Sequence, residues 1–152
     1  MEGDMTILII EDDPNDVLLL KKALSRAGIN NPIQVATDGA QAIRYLQGEG
    51  EYGDRLRFPF PSVIFTDLKM PRMSGFDVLQ WLRTHQECSV IPLIILTASK
   101  MDEDVRKAYQ LGANAYLVKP SSIEELQEMV KASYEFWAWC EKPVVGDKCL
   151  GR

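Results

Sequence analysis

Five short apolar runs punctuate the chain at 5–10, 33–36, 63–66, 93–96 and 115–118, and each is followed by a segment with a different period. Runs of this length, rich in Ile, Leu and Val and without polar alternation, read as strands buried on both faces. The intervening segments place apolar residues three and four apart, the spacing of a helix with one inward face. The first helix is expected to open at Pro14, which suits a first turn, and to bury Val17, Leu20, Leu24 and Ala27 before stopping at Gly28. A second is expected from Gly39 to Leu46 with Ala40, Ile43 and Leu46 inward. A third follows Ser74-Gly75 with Phe76, Leu79 and Leu82 on one side. The fourth begins at Asp102-Glu103-Asp104, three acids that favour a helix amino terminus, and closes at Gly112. The fifth starts at Ser121-Ser122, where Glu124 and Glu125 offer two overlapping capping boxes, and continues through Leu126, Val130, Tyr134 and Trp137.

Strict alternation of five strands and five helices predicts α/β architecture, a flavodoxin-like doubly wound five-stranded parallel sheet. One segment exceeds the minimal pattern. Residues 47–61 (QGEGEYGDRLRFPFP) are charged and punctuated by Gly and Pro, and are expected to form a surface excursion that takes part in partner contacts.

The 152 residues suit a single domain, with 46% hydrophobic and 26% charged residues, as in an ordinary globular protein. A net charge of -5 without a block of Lys or Arg argues against direct nucleic-acid binding. Cys88, Cys140 and Cys149 lack metal-ligand spacing, and their odd number argues against a disulfide framework. The start, Met1-Glu2-Gly3-Asp4, is acidic rather than basic as a signal peptide would be. No apolar run reaches the ~20 residues of a membrane span. A reduced, cytoplasmic protein is the expectation.

Four of the strands end on reactive residues. Glu11-Asp12-Asp13 follows the first, Asp67 the third, Thr97-Ala98 the fourth and Lys119-Pro120 the fifth. Open parallel sheets bind ligands beyond the carboxyl ends of their strands, so adjacent strands would bring these groups together. Any one of them alone is a solvated loop or a helix cap; four at four strand ends form a constellation. Clustered carboxylates repel unless a cation neutralises them, and an all-oxygen donor set points to Mg²⁺. Asp67 could then act as a nucleophile toward a phosphoryl group, with Lys119 pairing to its carboxylate or to phosphoryl oxygens and Thr97 donating a hydroxyl hydrogen bond.

The segments ILIIEDD, TDLKMPRMSG, LTAS and AYLVKP, in this order and spacing, resemble the receiver domain of bacterial two-component response regulators over residues 5–139. The resemblance implies strand order 2-1-3-4-5 and assigns roles by position. Asp67 is the phosphoacceptor, and Asp12, Asp67 and the Lys69 backbone carbonyl are metal ligands, with Glu11 acting through water. Thr97, Lys119 and the switch aromatic Tyr116 respond to the phosphoryl group, and Pro120 is expected to follow a cis peptide. Lys69 and Ser99 stand at positions that influence phosphate lifetime in the family. Asp13 is expected to be a helix cap. The long 47–61 loop, the DLKMPRMSGFDVL run and the aromatic C-terminus resemble small stand-alone regulators that partner phytochrome-type sensor histidine kinases and hybrid kinases. The 140–152 tail is too short for an output domain, so the expected output is a protein–protein contact and not enzymatic turnover of a separate substrate. Phe136, Trp137 and Trp139 cannot share one narrow helical stripe, so an aromatic is expected outside, next to the switch region of the fifth strand. Trp137 and Trp139 are therefore the expected anchors of a homodimer through helix 4, strand 5 and helix 5.

Two other chemistries fit less well. An aspartyl phosphatase of the haloacid-dehalogenase type needs a second Asp where Lys69 stands. A flavodoxin-like cofactor binder needs a phosphate loop after the first strand, where acids would repel a flavin phosphate.

Overall fold

A computed structural model describes residues 5–143 and Val145. Met1 to Asp4, Cys149 and most of the tail lie outside the described residues. Strands β1 (Ile7–Ile10), β2 (Ile33–Ala36), β3 (Val63–Thr66), β4 (Leu93–Thr97) and β5 (Ala115–Val118) alternate with helices α1 (Pro14–Arg26), α2 (Gly39–Gln47), α3 (Gly75–Arg83), α4 (Asp102–Gln110) and α5 (Ile123–Trp139). All strand pairs are parallel, in the order β2-β1-β3-β4-β5. The doubly wound sheet expected from the periodicity is therefore present.

The sheet separates two apolar layers. On one side Leu8, Ile10, Ile64, Leu93 and Ile95 pack with the inward faces of α2 and α3. On the other, Ile7, Ile9, Val63, Phe65 and Leu96 pack with Leu20, Ala23 and Leu24 of α1 and Leu126 and Val130 of α5. Successive residues of β1 thus point into opposite layers, which is why the strand is apolar throughout.

Local sequence sets the element ends. Asp13 caps α1 by accepting the Asn15 N–H at 2.8 Å, the expected cap. At α3, Ser74 and Asp77 form a reciprocal capping box. Of the two boxes expected at α5, the structure shows half of one: Ser122 is the cap and accepts from the Glu125 N–H at 3.1 Å. A helix has one N-cap, so Ser121 and Glu124 stay outside the motif.

Two expectations about packing need correction. The inward face of α2 is formed by Ala42, Tyr45 and Leu46, while Ala40 and Ile43 are only half-buried. Residues 47–61 are not simply an excursion. A 3₁₀ turn at Gly50–Gly53 lets Tyr52 and Phe58 fold back on Tyr45, with ring centroids 5.0–5.9 Å apart. Arg55 crosses beneath, its guanidinium 4.0 Å from the centre of the Phe60 ring, and donates to the carbonyls of Tyr45, Leu46 and Phe58. The bonds to Tyr45 and Leu46 help satisfy the last-turn carbonyls of α2, and the bond to Phe58 ties the loop to them. Leu56 remains fully outside at this turn.

Candidate functional site: an acid pocket at the strand ends

Parallel register delivers the reactive residues to one edge. Ile10 pairs with Thr66, so Glu11 and Asp67 leave adjacent strands at the same level, and the Asp67 N–H donates to the Ile10 carbonyl at 3.1 Å. Thr97 pairs with Val118, and the Lys119 N–H donates to the Thr97 carbonyl at 2.7 Å. Gly75 lets α3 start directly against this edge: a Cβ there would collide with the Asp67 backbone carbonyl.

Lys119 lies at the centre of the pocket. Its ammonium sits 2.8 Å from Glu11 Oε1, 2.8 Å from Asp16 Oδ2 and 3.2 Å from Asp67 Oδ2. Burial opposes its charge, but its hydrogen bonds to Asp16 and Glu11 and the field of Asp67 outweigh it and raise its pKa. Lys119 is a permanent cation here. Glu11 is buried, and desolvation pushes its pKa up to about 7 despite the hydrogen bond from Lys119. One ammonium faces three carboxylates, Glu11, Asp16 and Asp67, and burial makes Glu11 the one of the three that gains a proton most readily.

Ligand oxygens of Glu11, Asp12 and Asp67 all lie within 4.8 Å of one another. Asp12 is exposed, Asp67 half-buried and Glu11 buried, so the set opens toward solvent on one side. An all-carboxylate donor set with uncompensated negative charge fits a hard divalent cation. The other Asp67 oxygen, Oδ1, accepts from the Leu68 N–H at 2.7 Å.

Thr97 is buried beside this group, and its hydroxyl accepts weakly from the Ser99 N–H at 3.4 Å. Tyr116 is half-buried, and its hydroxyl donates to the Ser99 carbonyl at 3.0 Å. Burial raises the Tyr116 pKa, so it stays a donor. The exposed Lys69 side chain leans toward Asp104 of α4, at 3.9 Å. Every site residue expected from the sequence therefore lies along this edge, except the aromatic pair of α5.

Three points differ from expectation. The peptide bonds among the described residues are all trans, including Lys119–Pro120. Trans is the lower-energy isomer before proline by about 0.5–1 kcal/mol, and Lys119 reaches its three carboxylates from it. Secondly, the aromatic end of α5 is not beside Tyr116. Helix α5 runs back along the sheet, and Trp137 packs with Met5, Ile7, Ser62 and Val63 at the amino ends of the strands. Trp137 is half-buried, while Phe136 and Trp139 are exposed at 71% and 89%. Thirdly, sequence reasoning missed Asp16. Its signal was an acid in the first turn of the helix that follows Glu11-Asp12-Asp13.

A model of the response regulator receiver domain matches residues 7–131. The chain belongs to this family. It is 33% identical over 131 residues to the response regulator Rcp1 of Synechocystis, covering 86% of this chain and 87% of Rcp1. The Mn²⁺-bound form of Rcp1 superposes with a TM-score of 0.81, at 31% identity over 92% of this chain and 99% of that one. A response regulator in red light signalling of R. palustris, RPA3017, gives a TM-score of 0.88 and 32% identity over 93% of this chain and 99% of that one. The bacteriophytochrome response regulator RtBRR is 38% identical over 98% of this chain and 90% of that one, with a TM-score of 0.75. The chain is thus a receiver-domain response regulator of two-component signalling, and no helix among the described residues is long and apolar enough to cross a membrane.

Proposed function

We propose that this response regulator accepts a phosphoryl group on Asp67 from the phosphohistidine of a sensor or hybrid kinase, and signals as a stand-alone receiver through protein contacts. The observation that carries this reading is the convergence of Asp67, the acids Glu11 and Asp12, and the Lys119 ammonium at adjoining strand ends. A carboxylate oxygen of Asp67 attacks phosphorus, the phosphorus–nitrogen bond breaks and the kinase imidazole leaves. Lys119 offsets charge on the transferring group, and the Thr97 hydroxyl donates to one of its oxygens. A Mg²⁺ held by Asp12, Asp67 and the Lys69 carbonyl, with Glu11 through water, would supply further neutralisation of the phosphoryl oxygens.

The new dianion then competes for Thr97 and biases the loop on which Tyr116 is anchored, a population shift at the surface of α4 and β5. Similarity to RPA3017 and RtBRR, each covered over at least 90% of its length, supports both a single-domain regulator and a phytochrome-type kinase as partner. Incubation with a small phosphodonor and Mg²⁺, followed by intact mass, tests the reading. One phosphoryl group is expected on the native chain and none on Asp67→Asn, whose amide is a poor nucleophile. Full labelling of that variant would overturn the assignment.

A homodimer through α4, β5 and α5 is the second reading, favoured by the exposure of Phe136 and Trp139 together with Tyr109. Sedimentation of Phe136→Ala plus Trp139→Ala, with and without phosphodonor, checks it. A native chain that stays monomeric in both states would exclude it.

A further inference from the structure

The mouth of the acid pocket is bounded by Asp67, Lys69, Thr97, Ala98, Ser99 and Met101. A phosphoryl group on Asp67 would meet Lys69 on one side and Ser99 on the other. Both side chains lead to the same carboxylate. The Ser99 hydroxyl donates to Asp104 Oδ2 at 2.6 Å, and the Lys69 ammonium lies 3.9 Å from that same oxygen. Asp104 belongs to the first turn of α4, outside the group of residues that touches Asp67.

The two contacts differ in strength. A hydroxyl donating to a carboxylate at 2.6 Å is a short, charge-assisted bond. Ser99 is also tied by the Tyr116 hydroxyl at its carbonyl and by the Met101 N–H at its own hydroxyl, so it is fixed. Lys69 is held by charge alone. Its side chain is 71% exposed against 15% for Asp104, and it can be drawn off cheaply. At rest, Asp104 is the carboxylate that pairs with the Lys69 ammonium. Once Asp67 carries a phosphoryl group, a second and stronger anion competes for that ammonium.

We propose that Asp104 is a positioning residue for the acyl phosphate: by holding Ser99 and drawing Lys69 away from the mouth, it keeps open the path by which water reaches the phosphorus. This rests on Asp67 being the phosphoacceptor. In the step concerned, water oxygen attacks phosphorus, and the bond between phosphorus and the Asp67 carboxylate oxygen breaks. Inorganic phosphate leaves and the Asp67 carboxylate is restored, with the water proton passing to solvent. Lys69 paired with the phosphoryl oxygens covers that approach and slows the step; Lys69 paired with Asp104 does not. The same carboxylate ties the mouth to the start of α4, so release of Lys69 also alters the charge at that helix end.

The test is the lifetime of the acyl phosphate after removal of the phosphodonor, followed by intact mass in native chain, Asp104→Asn, Lys69→Met and the double variant. Asp104→Asn retains an acceptor for Ser99 but not the charge that holds Lys69. Its acyl phosphate is expected to last about threefold longer, the scale of one exposed ion pair redirected to the phosphoryl group. The gain should vanish when Lys69→Met is added, a dependence that general loosening of α4 would not produce. An unchanged or shortened lifetime in Asp104→Asn, or a gain that survives Lys69→Met, overturns the proposal while leaving Asp67 as acceptor. Absence of label on the native chain overturns the phosphoacceptor reading and this inference with it.

Discussion

Tyr45 is 2% exposed, and its hydroxyl donates to the Pro59 carbonyl at 2.7 Å, joining α2 to the end of the 47–61 segment. Burial pushes its pKa up to about 12, against 10.0 for the free side chain. A group whose folded pKa is raised contributes stability that is complete below the unfolded pKa and is lost as pH climbs through the folded one. The chain should therefore lose about 2–3 kcal/mol from this residue between pH 10 and 12. Tyr45→Phe should cost about 1 kcal/mol near neutrality, through the lost hydrogen bond, yet flatten that alkaline decline. Urea unfolding of both proteins at pH 8 and pH 11 measures the difference. Equal declines in the two would mean that the hydroxyl is solvated in the folded state.

Between elements, the pairing that shapes the site joins the cap of α2 to the loop between β3 and α3. Asp38 caps α2, accepting the Gln41 N–H at 2.8 Å, and also accepts from Arg72 at 2.6 Å. Arg72 takes a left-handed backbone, φ 67°, in the loop that follows Asp67 and Lys69. Gly39 makes room for this loop, since a Cβ there would stand 2.8 Å from the Met73 carbonyl. The Gln41 N–H, then Arg72, lower the Asp38 pKa, so its contribution is present above the ordinary carboxylate range and is lost on acidification through the lowered value. Asp38→Ala should cost about 1–2 kcal/mol as a lost cap. Arg72 has a side chain 74% exposed, and Arg72→Ala should cost under about 1 kcal/mol. Chemical denaturation ranks them; a larger loss at Arg72 would show that the ion pair, not the cap, holds this corner. Such pairings also mark the limit of what the sequence reveals. Strand ends were legible because a buried parallel strand is a bare apolar run, and the first polar residue after it must face the crevice. Asp16, Asp104 and the Asp38–Arg72 pair were not, because an acid in a first helical turn is by default a dipole partner, and only the packed loops show what it grips. The face of α2 was misjudged for a related reason: Tyr45 is inward only because Arg55 and Phe58 close over it.

For the molecule as a whole, the acid pocket sets fold stability against readiness for charge. Three carboxylates share one ammonium and a fourth, that of Asp12, lies close to two of them, so the folded state without a cation carries repulsion that the unfolded chain does not. At Glu11 desolvation adds to this and, with the field of Asp67, raises the folded pKa to about 7, so its contribution is fully present below its unfolded value of 4.5 and is lost as pH rises through 7. A divalent cation at this cluster would bind the ionised acids and compete with the Glu11 proton. Mg²⁺ should therefore raise the melting temperature, by an amount that grows with its concentration over its dissociation constant. The rise should be larger at pH 8 than at pH 6, because at the lower pH binding must first displace a proton. Asp12→Ala should abolish most of it. Glu11→Gln should reduce it less, as the proposed water-mediated role of Glu11 requires, and should also remove its pH dependence between 6 and 8. Thermal melts of the three proteins across that pH range, with and without Mg²⁺, decide the matter. A Mg²⁺ effect that is independent of pH in the native chain would place the proton elsewhere in the cluster, and one that survives Asp12→Ala would place the cation outside it.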